Sequence, residues 1–396
     1  MRGMMSGNGK IDIVMDYVFT FDDHVNSPEI SVERYIRSKC IGLSQEVNSN
    51  KVVYFDTKFW LVVRDVVLGR SSSDLEQEFY EEIVSLVEKG RLIFPISQDV
   101  FLEVIKQSDP ETLGQTVTLI DRLSCGVSLI NFEERLELEI KYFLYSSVGK
   151  SVYDCREKVW TRLAYNMGFV TPSNKFLDPE TDKVIQKAFI DQMWNISLSD
   201  MITTISENGG LSRLDMPRMS EKLNEGKFNH AHENNSFKQM FLSELAGSLD
   251  GYGNVVAKCM EDMYVAETGK TLSEEERKNS DSGKGLHNAI YNLFRLNKAK
   301  SYFPTFDIIS GLHAAIRWDK NQKYQNNDLH DIRHAASALP YCDAFFTEKR
   351  LAHLITQKAT SYDKKYSCVV ASSVSEALDA IKVLKAKVNS DPDGSK

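Results

Sequence analysis

The chain has no surplus of positive charge: 48 Lys and Arg stand against 56 Asp and Glu, a net charge of −8. That excludes a general polycation, so any grip on nucleic-acid phosphates must be local, because non-specific binding depends on Lys and Arg neutralising them. Cysteine is scarce and scattered. Cys40, Cys125, Cys155, Cys259, Cys342 and Cys368 include no C-x-x-C pair, which argues against a zinc ribbon or a redox motif and for reduced thiols in a cytosol. No apolar run approaches the roughly 20 residues of a membrane helix, and Met1–Lys10 is too polar for a signal peptide. The expectation is a soluble, cytoplasmic protein. No G-x-S-x-G or H-E-x-x-H occurs, and Gly283-Lys284-Gly285 lacks P-loop spacing, so triad chemistry and nucleotide hydrolysis have no motif.

What is present is a set of short α/β units around a long helical stretch. Lys51–Asp56 reads as a buried strand, followed by helices over 57–67 and 74–89. Arg91–Ser97 reads as a second strand, and Ser97 is a suitable N-cap for a helix over 98–107 that carries Glu103. Further helices are predicted at 111–123 and 133–145, with a strand or loop at 127–132. From about 149 to 302 the pattern is helical with polar interruptions and no convincing strand. The α/β pattern resumes with a helix over 306–318, the small-residue helix after Asp328, the strand Ala344–Thr347, and a last strand and helix over 368–387. The predicted organisation is an N-terminal leader at 1–47 with a helix over 31–41, a split α/β domain at 48–148 and 303–388, a helical insertion at 149–302 and a disordered tail at 389–396.

Carboxylates recur at the mouths of these elements. Asp56 ends the first strand, Glu103 lies inside a helix, Asp328 and Asp331 open another, and Asp343 and Glu348 flank the strand Ala344–Thr347. In open α/β sheets the carboxyl edge is where ligands bind. Oxygen donors without His or Cys favour Mg2+ or Mn2+, and such a cluster suits phosphodiester hydrolysis. A lone Asp at a helix start is more often a cap than a ligand. Glu103 is harder to explain that way, because it sits among Val100, Phe101, Leu102, Val104 and Ile105 on a helix expected to pack on the sheet. Asp22-Asp23-His24 and His230-Ala231-His232-Glu233 have ligand-type residues but no third partner, and read as surface segments.

Four segments, Val53-Tyr54-Phe55-Asp56-Thr57, Pro95-Ile96-Ser97 with Glu103, Asp331-Ile332-Arg333-His334-Ala335-Ala336-Ser337-Ala338 and Phe345-Phe346-Thr347-Glu348, resemble the PIN-domain family of metal-dependent nucleases. The likeness covers 48–148 and 303–388 and leaves the insertion outside. It implies a three-layer α/β/α sandwich around a mainly parallel sheet. It also implies metal binding and catalysis by Asp56, Glu103 and Asp331, with Thr57 and Thr347 as the assisting hydroxyls. The fourth acid stays open. The family places an Asp after the Thr of the last active-site strand, where this chain has Glu348, and the order of preference is Asp343, then Asp328 and Glu348. Arg333 and Lys349 share elements with these acids and are the candidate phosphate-binding residues.

The resulting expectation is a Mg2+- or Mn2+-dependent endoribonuclease, of the kind that serves as a toxin or in antiviral defence, restrained by a regulatory protein partner or a homo-oligomer. The rivals are a DNA-directed nuclease of the same fold and a non-catalytic scaffold acting through its insertion.

Overall fold

The computed structural model describes residues 20–207, 219–230, 235–279, 282–299 and 302–390. The fold is mostly helical, 66% helix, so most of its core is helix against helix around a small mixed α/β centre. That centre is a four-stranded, all-parallel sheet of β1 (Lys51–Phe55), β2 (Leu92–Ile93), β5 (Ala344–Phe346) and β6 (Val369–Ala371), in the order β2-β1-β5-β6. β3 (Val127–Leu129) and β4 (Trp160–Arg162) form an antiparallel pair, and a parallel bridge from Ile96 to Ser128 ties it to the segment after β2.

β1 is a continuous apolar run because both of its faces are covered. Phe55 and Phe346 stack on one face (centroids 5.6 Å apart) with Phe59, Phe79 and Phe94 around them. Those residues come from the helices Thr57–Val67 and Asp74–Glu88 and from the turn after β2. On the other face lie Tyr54 and Phe345, 5.6 Å apart edge to face, beneath the helices Gln98–Val104 and Asp328–Ala338. The register pairs Phe55 with Phe346, so Asp56 and Thr347 leave the sheet side by side, and Asp56 N–H bonds the Phe346 carbonyl (3.0 Å).

Several elements differ from the sequence expectation. The helix read over 31–41 runs Val32–Asn48 and buries Cys40, Leu43 and Val47 in the common core, so this part of the presumed leader is integral to the fold. The insertion contains a strand after all: β4 has only three residues, too few to show alternation. The insertion also shares the core. Its helix Phe237–Gly251 lies along Pro304–Trp318, and Leu245 and Leu249 are fully buried. In Pro304–Trp318, Gly311 cannot carry a side chain, because a Cβ would fall 1.8 Å from the Tyr362 hydroxyl that donates to the Asp307 carbonyl. His24, read as a surface residue, is 6% exposed and bonds Asp191 (2.8 Å) together with Thr20, Tyr35 and Lys39. The last helix, Val374–Ser390, enters the presumed tail by two residues; 391–396 lie outside the described residues, as do most of 1–21 and 231–234. No helix among the described residues is long and apolar enough to cross a membrane.

Candidate active site

A cavity of about 720 Å3 opens at the carboxyl edge of β1 and β5. Asp56, Thr57, Glu103, Asp331 and Glu348 line it, together with His330, His334, Lys58, Lys106, Asn326 and Asn327. Each acid arrives by a different route. Asp56 is the N-cap of Thr57–Val67, where its carboxylate accepts Phe59 N–H (3.3 Å) and Glu348 N–H (3.0 Å). One residue thus ends the strand, starts the helix and pins the neighbouring strand's exit. Thr347 is fully buried beside this carboxylate, close enough to favour its ionised form but outside good hydrogen-bond geometry. Burial still lifts the Asp56 pKa above the ordinary value.

Glu103 and Asp331 have opposite electrostatics. Burial alone would raise Glu103, but the hydrogen bond and charge of His334 (3.2 Å) and the Thr57 hydroxyl outweigh it and hold the carboxyl down at about 2. His334, 1% exposed, is pushed up to about 9 against its own burial by Glu103, with Asp99 and Asp56 adding to the effect. Asp331 has no such partner. Burial raises it to about 7, His334 offsets this in part, and Glu348, Asp328 and Glu103 add to it.

Two of the predicted acids stand elsewhere. Asp343 is at the opposite end of the sheet, where it accepts Val52 N–H (2.9 Å) and faces Lys51 (3.4 Å). Parallel register explains this. A residue that precedes β5 lies at the amino edge, whereas one that follows β1 lies at the carboxyl edge, so Asp343 and Asp56 cannot meet. Asp343 is therefore withdrawn as a catalytic or metal residue, and Glu348 takes the fourth place in the cavity. Asp328 does not line it either; 3% exposed, it accepts Gln325 N–H (2.7 Å) and pairs with Arg350 (3.0 Å).

The predicted phosphate-binding residues are displaced as well. Arg333 lies over the Phe132 ring (4.9 Å) and 3.8 Å from Asp99, since a position two residues past Asp331 falls on the other side of the helix. Lys349 is exposed just past Glu348 and does not line the cavity; Lys58 and Lys106 do.

The sequence reading missed the histidines. Two parallel helices present Asp99 and Glu103 against His330 and His334, each pair spaced four residues apart, so the side chains meet as two rungs. His334 Nδ1 bonds the Tyr54 hydroxyl (2.7 Å), which bonds Ser97 (2.6 Å), so a polar chain runs under the cavity floor. Below the first rung Asp99 is 1% exposed, and neither of its oxygens has a hydrogen-bond partner among the described residues. The i, i+4 repeats Asp99/Glu103 and His330/His334 were the available signal.

As donors, Asp56, Glu103, Asp331 and Glu348 suit a hard dication, and a dication would offset the burial and the neighbouring carboxylates that lift Asp331. Among the described residues no three His, Cys, Asp or Glu side chains already converge on one ion position. Glu103 in particular is turned into His334 and Thr57. No protein-family model, no curated protein and no solved structure matches the chain.

Proposed function

We propose that the chain is a Mg2+- or Mn2+-dependent endoribonuclease with a PIN-like, three-layer catalytic core. The observation that carries this reading is the meeting of Asp56, Glu103, Asp331 and Glu348, drawn from four separate segments, on one cavity at the carboxyl edge of a parallel sheet. The layering of helices on both faces of that sheet supports the architecture, and Lys58 and Lys106 at the cavity support a phosphate-bearing substrate.

In this reading the four acids hold the ion, which when bound polarises the phosphate and lowers the pKa of its water. The chain's own residues do the rest. Asp56 is fixed by two backbone N–H groups, and Thr57 orients Glu103. His334 holds the charge of Glu103 in the ion-free site, and Glu103 would have to turn from His334 to serve as a ligand. Asp331, raised by burial to about 7 in the ion-free site, would be drawn to its ionised form on holding the ion. Lys58 and Lys106 draw in the phosphate.

The test is cleavage of labelled RNA and DNA with Mn2+, Mg2+ or chelator, by the parent and by Asp56→Asn plus Asp331→Asn. Metal-dependent RNA cleavage lost in the double variant is the expected result. Cleavage of DNA alone would reassign the substrate, and no cleavage with any metal would leave the non-catalytic scaffold.

A further inference from the structure

The turn that leads into the Asp331 helix is held by the insertion. Residues 319–327 connect Pro304–Trp318 to Asp328–Ala338, and Asn326 and Asn327 at its end line the cavity. The insertion helix Met219–Asn229 lies on this turn and bonds it at three heights. Ser220 Oγ donates to the Asn326 side chain (2.6 Å). Asn224 makes a two-point contact with the Tyr324 backbone, donating to its carbonyl (2.9 Å) and accepting its N–H (2.8 Å). Lys227 Nζ donates to the carbonyls of Ile316 (2.7 Å), Asp319 (2.6 Å) and Gln322. The first of these is among the last carbonyls of Pro304–Trp318, which lack helical partners and sit at the negative end of the helix dipole.

The attachment of this helix is largely polar, with Leu223 as a partly buried apolar contact to the core. Of its residues only Ser220 is buried; Met219 is 42% and Phe228 82% exposed. Eleven residues are too few for a helix to be stable alone in water, so its order depends on docking. Each hydrogen bond contributes little net free energy. Met219 itself lines the active cavity, so the docked helix supplies part of its wall.

We infer that Met219–Asn229 is a clamp, reversibly docked through Ser220, Asn224 and Lys227, which fixes the 319–327 turn and thereby the placement of Asn326, Asn327 and Asp331. Asn224 and Lys227 are positioning residues. They touch the turn and act on the site through it. The effect on turnover rests on the nuclease reading; the clamp itself does not. The insertion thereby acquires a role in the site instead of standing beside it.

The experiment uses the full chain with Asn224→Ala, Lys227→Met and, as a control on the same helix, Glu225→Ala. Amide hydrogen exchange is followed over 319–331, alongside steady-state RNA cleavage. Loss of the two Asn224 bonds weakens docking by about 10- to 30-fold. Exchange across 319–327 is expected to quicken by a similar factor in Asn224→Ala and Lys227→Met but not in Glu225→Ala. kcat is expected to fall by about fivefold or more with KM within about twofold, because the site is misplaced while the phosphate-binding lysines are untouched. Unchanged exchange over 319–327 in both variants overturns the clamp, whether or not the parent cuts RNA. Quickened exchange with an unchanged kcat in an active parent overturns its role in positioning Asp331. If the parent cuts nothing, the nuclease reading fails and exchange alone decides the clamp.

Discussion

Glu139 offers a quantitative test of the core. It is fully buried in the helix Phe132–Ser147, and its carboxyl accepts Thr305 N–H (3.0 Å), Thr305 Oγ1 (2.6 Å) and the Tyr341 hydroxyl (2.8 Å). It thus caps Pro304–Trp318 from a distant helix. Burial raises its pKa from 4.5 to about 7, with the Thr305 and Tyr341 bonds and the Arg135 charge holding it lower than burial alone would. The folded state therefore keeps a proton that the unfolded chain releases between pH 4.5 and 7, so stability falls as pH rises through that window. At about 1.4 kcal/mol for each pH unit between the two values, the loss is about 3 kcal/mol. Glu139→Gln cannot titrate. Its unfolding free energy, from urea denaturation at pH 4.5 to 8, should be close to the parent's at the acid end and exceed it by up to about 3 kcal/mol at pH 8. Parallel pH profiles for parent and variant, or a variant weaker by the same amount at every pH, would refute the reasoning. Either would mean that the hydrogen bonds hold Glu139 ionised in the fold.

Asp331→Asn should lower cleavage by about 100-fold or more, yet stabilise the fold by up to about 4 kcal/mol at pH 8, because the ionised acid is costly there; thermal melts and cleavage assays on one preparation check both. Glu348→Gln should lower activity about tenfold or more, whereas Asp343→Ala should keep it and cost about 1 kcal/mol through Val52 N–H. Equal losses in the two would contradict the placement of the fourth acid. The Glu103–His334 pair stabilises fully between pH 4.5 and 6.5, and the benefit is lost as pH falls through about 2 or rises through about 9. His334→Gln should therefore be weaker by about 3 kcal/mol at pH 5.5 and approach the parent at pH 9.5, as read by urea unfolding.

Local signals in the chain carried the parallel strands and three of the cavity acids. Val52–Phe55 is readable because a strand buried on both faces has no polar alternation, and Asp56 because it is both strand end and cap. Glu103 stood out as a carboxylate in an apolar helix. The misplaced residues share a cause, which is that neighbours in sequence were read as neighbours at the site. Asp343 precedes its strand and Arg333 lies around the helix from Asp331; strand direction and helical phase, both available in principle, place each of them away from the cavity. His334 was hidden because its meaning depends on Glu103, 231 residues earlier, and β4 because three residues carry no period. The docking of Met219–Asn229 is carried by side chain to backbone bonds, which leave no pattern in the sequence.

The bond from Glu348 N–H to Asp56 spans 292 residues. At a synthesis rate of ~5–20 residues per second, about 15 to 60 s separate the emergence of the two ends of the site. A nascent or prematurely terminated chain that ends before Asp331 has only Asp56 and Glu103 of the four acids and lacks the strand and helix that bring the others to them. Under the proposed activity, the order of the segments would itself keep the protein harmless to the RNA being translated until its final strands arrive.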